Sequence, residues 1–126
     1  MNSVYNWAEL QKNDPTLAQV LRKWQTPYRS ELKRANAEVV QLIKEWDRLV
    51  IRNNVLLRRR LTDGHDTFQL ILPAAFRNQA LRGLHDEVGH PGRDRTIDLV
   101  RSRFYWPFKA THTEKYVAHC DRCIRR

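Results

Sequence analysis

The 126-residue chain has few cysteines, no long apolar run and a shortage of acidic side chains, and each shortfall removes a class of protein. A secreted disulfide scaffold uses more cysteines, across wider loops, than the single pair Cys120 and Cys123. No segment approaches the roughly 20 apolar residues that a membrane-spanning helix requires. The start, Met1-Asn2-Ser3-Val4-Tyr5-Asn6, has neither the basic residues nor the apolar stretch of a signal peptide. Fourteen Asp and Glu stand against twenty-three Lys and Arg, for a formal net charge of +9. That imbalance suits a polyanionic partner, usually nucleic acid. An intracellular protein with no membrane partner and no small-molecule substrate is the expectation.

What is present is aromatic: four Trp, four Tyr and four Phe supply enough large apolar surface for a core, with a structural metal as a plausible supplement. Core packing is the plain reading of all four tryptophans. Residues 3–24 read as helical, with Asp14 as a cap, Pro15 in the first helical position and Leu17, Val20, Leu21 and Trp24 on one face. Trp7 and Leu10 suggest a shorter helix before that cap. Pro27 marks a break, and Ser30 is placed as the cap of a second helix over 31–47, with Val39, Leu42, Ile43 and Trp46 in its apolar stripe. From 49 to 72 short β-prone runs alternate with the turn pairs Asn53-Asn54 and Asp63-Gly64, which predicts a small antiparallel meander. Its middle strand carries Arg58-Arg59-Arg60, open to reading as a phosphate contact, a weak nuclear-import signal or a solvated strand end.

After Pro73 the chain turns helical again over 74–87, with Phe76, Ala80 and Leu84 inward. Gly89-His90-Pro91-Gly92 is a turn, 94–104 is a further helix, and Thr111 with Glu114 makes a capping box for a last helix toward His119. The expected fold is mainly α with a small antiparallel β meander, dividing into an N-terminal stretch, 1–72, and a helical C-terminal stretch, 73–126.

The zinc assignment rests on His85, His90, Cys120 and Cys123. Zinc favours four tetrahedral ligands drawn from imidazole nitrogen and thiolate sulfur. Two residues between the cysteines let a tight turn aim both thiolates at one ion. The histidines lie at a helix end and in the Gly-Pro turn after it, where the chain can bend back. Two thiolates neutralise the dication, and four filled positions leave no place for an activated water, so one structural zinc per chain is expected. A thioredoxin-like redox role for Cys-x-x-Cys is disfavoured, since that motif normally follows a strand and opens a helix. His112 and His119 are rival ligands, and His65, beside a turn glycine, is expected to be exposed.

Leu84-His85-Asp86, Gly89-His90-Pro91-Gly92, Thr96, Phe104-Tyr105-Trp106-Pro107, Tyr116-Val117 and Cys120-Asp121-Arg122-Cys123 together resemble the integrase zinc-binding domain of gypsy-type LTR retrotransposons and retroviruses. The resemblance runs from about Leu72 to the end and implies a small bundle, similar to a helix-turn-helix, folded around zinc. It also implies a role in integrase multimerisation and in holding the DNA ends of the element, in a nucleus or a virus-like particle. His85, His90, Cys120 and Cys123 map onto the family's ligands, whereas Ile124-Arg125-Arg126 departs from the Gln and later Lys that many relatives carry. The family's strand-transfer chemistry belongs to a downstream domain with three carboxylates and two metals. Only three residues follow Cys123, so this chain is expected not to cut or join DNA. Arg93, Arg95, Arg101 and Arg103 are the first candidates for phosphate contacts, with Lys109 and Lys115 behind them, and a solvated helix face is the bland alternative. A rival from another class is a protein-interaction module in which Trp7, Trp24 and Trp46 dock a partner and zinc only holds the fold.

Overall fold

The computed structural model describes residues 5–22, 24, 36–86 and 89–120. Its sheet follows from two tight turns. Asn53, Asn54, Asp63 and Gly64 all have positive φ, between 52° and 79°. A two-residue loop with both central residues left-handed matches the twist of the strands it joins. Strands β1 (Leu49–Arg52), β2 (Val55–Thr62) and β3 (His65–Ile71) therefore pair antiparallel from Arg52↔Val55 and Thr62↔His65, as the meander reading expects. A fourth strand, β4 (Phe104–Tyr105), lies parallel to β3 and completes the order β1-β2-β3-β4. No strand is expected there from sequence, because two residues carry no readable alternation.

The helices surround this sheet. Asn6 caps α1 (Trp7–Lys12), and Asp14 caps α2 (Pro15–Arg22) by accepting from the amides of Thr16 and Leu17, both at 3.0 Å. The expected helical stretch over 3–24 is thus two helices with a break at Asn13 and Asp14. The helix expected over 31–47 is corrected to α3 (Ala37–Lys44), with a 3-10 turn after it at Trp46–Arg48. Asn36 has an extended backbone and its side chain accepts from Val39 N at 2.9 Å, so it is the cap and the helix starts after it. Ser30, the expected cap, lies outside the described residues.

The C-terminal part runs through a 3-10 turn (Ala74–Phe76), α4 (Arg77–Leu81), a π turn (Arg82–Asp86), α5 (Arg93–Arg103) and α6 (Lys109–Ala118). The capping box of Thr111 and Glu114 does not form. Buried Trp106 and Pro107 turn the chain earlier, Phe108 adopts a left-handed φ of 63°, and α6 begins at Lys109 without a side-chain cap.

Two apolar clusters hold these pieces, and each borrows a ring across residues 72 and 73. One centres on Leu72, Leu81, Val100, Phe104 and Trp106 and receives Trp7 from α1. The other centres on Leu17, Val20, Leu42, Leu56 and Ile71 and receives Tyr105 from β4. Trp24 packs on Trp46 at 5.1 Å and Trp7 on Phe76 at 5.3 Å, so these rings are engaged within the chain. Polar links cross at the same level. Asp14 Oδ2 accepts from Ala74 N at 2.8 Å, and Arg77 grips Glu38 with two nitrogens.

The most consequential link is Gln11, which is fully buried. Counting back from the Thr62↔His65 hairpin end, hydrogen-bonded pairs alternate, and Leu56 opposite Ile71 would be the next such pair after Arg58↔Gln69. The Gln11 amide stands there instead. Its Oε1 accepts from Leu56 N at 2.7 Å, and its Nε2 donates to the carbonyls of Leu56 at 3.0 Å and Ile71 at 2.8 Å. Truncation orphans three buried backbone groups, each worth about 1–3 kcal/mol when left without a partner. Gln11→Ala is therefore expected to lower the unfolding free energy in urea by about 3 kcal/mol or more. A loss below about 1 kcal/mol would mean that the two strands close up and make the bonds themselves.

Candidate metal centre

Three of the four expected ligands converge. His85 sits in the π turn after α4, a distortion of the helical ladder frequent at functional sites, and its side chain is fully buried. The chain then reverses through Gly89 (φ 92°) and His90 (φ 56°), and His90 N donates to the His85 carbonyl at 2.9 Å. A left-handed backbone is cheap for glycine and costly for histidine, and here it folds His90 back toward His85. The two imidazoles meet edge to face, 5.0 Å between centroids. The end of α6 brings up the third member: His90 Nδ1 lies 3.3 Å from Cys120 Sγ.

Ligand atoms of His85, Asp86, His90 and Cys120 all fall within 4.8 Å of one another. A nitrogen and a sulfur on one tetrahedral zinc are separated by about 3.5 Å, given bonds of roughly 2.0 and 2.3 Å. The His90–Cys120 distance matches that edge. Cys123, the fourth expected ligand, lies outside the described residues.

Hydrogen bonding around His85 fixes which nitrogen can serve. The buried Thr96 hydroxyl lies 2.9 Å from the Gly92 carbonyl and 3.2 Å from that of Pro91, both of which only accept. Its single proton is spent there, so at 3.0 Å it must accept from His85 Nδ1–H. Nε2 is then the deprotonated nitrogen, the one that carries a lone pair for a cation. Thr96 was legible in the sequence as part of the resemblance, but its orienting task was not.

Asp86 is the member that sequence reasoning missed as a participant; its adjacency to His85 and its spacing of four from His90 were the available signals. One carboxylate oxygen accepts from Tyr116 OH at 2.8 Å and the other lies 4.0 Å from His90 Nδ1. Burial, then the bond to Asp86, push the Tyr116 phenol up to about 12, so it stays protonated as a donor. Its ring also packs edge-on to His85, 5.9 Å between centroids.

The rival histidines are engaged elsewhere. His112 Nδ1 accepts from Trp106 Nε1 at 2.9 Å, and burial followed by the Arg77 charge lowers its pKa. His119 is exposed and its Nδ1 donates to the Lys115 carbonyl at 2.7 Å. His65 is exposed, as expected.

Of the candidate phosphate contacts, Arg93, Arg95, Arg101 and Arg103 are exposed along α5, and Lys115 is exposed on α6. Asp94 lies 3.2 Å from Arg93, and Asp98 lies 3.8 Å from Arg101. Lys109 differs: it is half-buried and donates to the Phe104 carbonyl at 3.3 Å. Among the described residues, no helix is long and apolar enough to cross a membrane.

No curated protein and no solved structure was found to match the chain. A family model does: the one described as integrase zinc binding domain matches residues 72–126, the stretch that carries the whole cluster. A buried imidazole, a half-buried one and a facing thiol lie together inside the segment that matches the integrase zinc-binding domain family.

Proposed function

We propose that the chain is the zinc-holding module of a gypsy-type LTR retroelement integrase, binding the element's DNA ends and helping integrase subunits associate in the nucleus or in a particle. The observation that carries this reading is the convergence of His85, His90 and Cys120 inside the segment matched by the integrase family. In this reading one zinc is held by His85, His90, Cys120 and Cys123. Two thiolates cancel the dication's charge, and the filled coordination shell makes the metal a fastener between the π turn and α6, with no open position for chemistry.

DNA contact is supported by the charge excess and by its placement. Four exposed arginines line α5, directly after the turn that bears His90. Arginine and lysine contacts of this kind neutralise phosphates and release counterions. Self-association would place copies of such a surface on two DNA ends at once, which is the use an integrase has for it.

Native mass before and after chelation, with circular dichroism on the same samples, tests the metal. One zinc per chain and a loss of helix on chelation are expected. Cys120→Ser or His90→Ala should unfold mainly the C-terminal half, because structural zinc contributes on the order of 10 kcal/mol in small domains. Unchanged melting with unchanged zinc content would overturn the assignment. Thr96→Val, which removes the acceptor that orients His85, should weaken zinc binding about 10- to 100-fold in competition with a chromophoric chelator, while Thr96→Ser keeps it near the original value. For DNA, the logarithm of affinity should fall with the logarithm of salt at a slope of about −3 or steeper if four phosphates are neutralised. A flat salt response would leave the protein-interaction reading in its place.

A further inference from the structure

Away from the metal cluster, positive charge converges where β2, the end of α5 and the start of α6 meet. The Arg101 carbonyl accepts from Gln69 Nε2 at 2.6 Å and has Arg60 Nη1 at 3.5 Å. The Phe104 carbonyl receives Gln69 Nε2 and Lys109 Nζ, each at 3.3 Å. The Tyr105 ring is shared by the Arg58 guanidinium, 4.9 Å from its centroid, and the Lys109 ammonium at 5.1 Å.

Four cationic side chains thus occupy one seam. Among the described residues two carboxylates answer them: Glu45, paired with Arg58 at 3.2 Å, and Asp98, 3.8 Å from Arg101. Four positive groups less two negative ones leave an excess of two, centred on Arg60 and Lys109. Capping the negative end of α5 accounts for part of that excess, since a helix C-terminus carries about half a negative charge. Lys109 also reaches the helix end, through the Phe104 carbonyl, but no carboxylate is paired with it among the described residues. Burial first, then Arg58, Arg101 and Arg60, lower its pKa to about 7, with Glu45 pulling the other way. An anion placed among these four side chains would favour the charged form.

We propose that Arg58, Arg60, Arg101 and Lys109 form a binding site for a phosphate of a nucleic-acid backbone, so that the sheet of the N-terminal half and the C-terminal end of α5 make one contact surface. This rests on the DNA-binding reading above and extends it to β2, which sequence reading left open at Arg58-Arg59-Arg60. It also sets a pH dependence. Protonated Lys109 is the form that attracts phosphate, and an adjacent phosphate raises its pKa again. Binding therefore takes up a proton above neutrality, and affinity falls as pH rises through about 7. The groups that face Lys109 are Arg58 and Arg60 from β2, Arg101 from α5, Tyr105 from β4 and Glu45 from the end of α3. Of these, Tyr105 stays neutral over this range, its phenol pushed up to about 12 by burial.

Calorimetry of the full chain with a short DNA duplex tests the site, run about one pH unit above neutrality in two buffers of different ionisation heat. The unaltered protein should take up as much as about one proton per duplex bound, and Lys109→Met should take up none. Lys109→Met and Arg60→Gln should each weaken binding about 3- to 10-fold and reduce the salt slope by about 1. If Lys109→Met fails to fold by circular dichroism, Arg60→Gln carries the affinity and salt tests alone. Folded variants that keep the original affinity, slope and proton uptake overturn the proposal. If Arg95→Gln weakens binding while those two do not, the seam is wrong and the α5 reading stands. If the unaltered protein binds no duplex, both fall together.

Discussion

A primary amide stands where two strands would otherwise bond, and the fold is arranged around it. Gln11 belongs to the first helix, yet it occupies the rung between Leu56 and Ile71 and is fully buried. A buried amide must have its donors and acceptors met, and the rung it fills supplies them only at that position. This pins α1 against the end of the sheet, which places Trp7 on the C-terminal cluster. Gln69 repeats the device on the other side, tying β3 to the last carbonyls of α5. Two glutamines thereby add bonds of fixed direction to the Asp14–Ala74 and Arg77–Glu38 links between the halves.

The distribution of charge follows the same division. Among the buried polar residues, Gln11, Gln69, Thr96 and Thr113 are neutral and hydrogen-bonded. Cations are spread over the helices and strands, and one group of them crowds the seam around Tyr105. Among the described residues, Arg58 and Arg77 take their charges into partly buried positions beside Glu45 and Glu38, and Lys109 enters one beside the Phe104 carbonyl.

The legible parts of the fold were those with a local cause. Asn53-Asn54 and Asp63-Gly64 announce hairpins because their residue types accept a left-handed backbone, and Asp14-Pro15 announces a helix start because both residues suit it. His85, His90 and Cys120 were legible because metal chemistry restricts both residue type and spacing. What escaped had tertiary causes. β4 exists only because β3 offers an edge, and α6 starts early because Trp106 is buried and fixes the turn before it. Asn36 competed with Ser30 as a cap on equal chemical terms. The positions of Gln11 and Gln69 in the interior follow from backbone groups that no sequence window contains.

The helix α5 has eleven residues and so spans about 16 Å. Its two ends are moored by unlike means. Near its start, Thr96 is bonded to His85 and through it to the metal cluster; at its finish, Gln69 holds the Arg101 and Phe104 carbonyls with neutral hydrogen bonds. One helix thus couples the His85 cluster to the edge of the sheet, and a displacement at His85 is carried along α5 to the strand that holds Gln69.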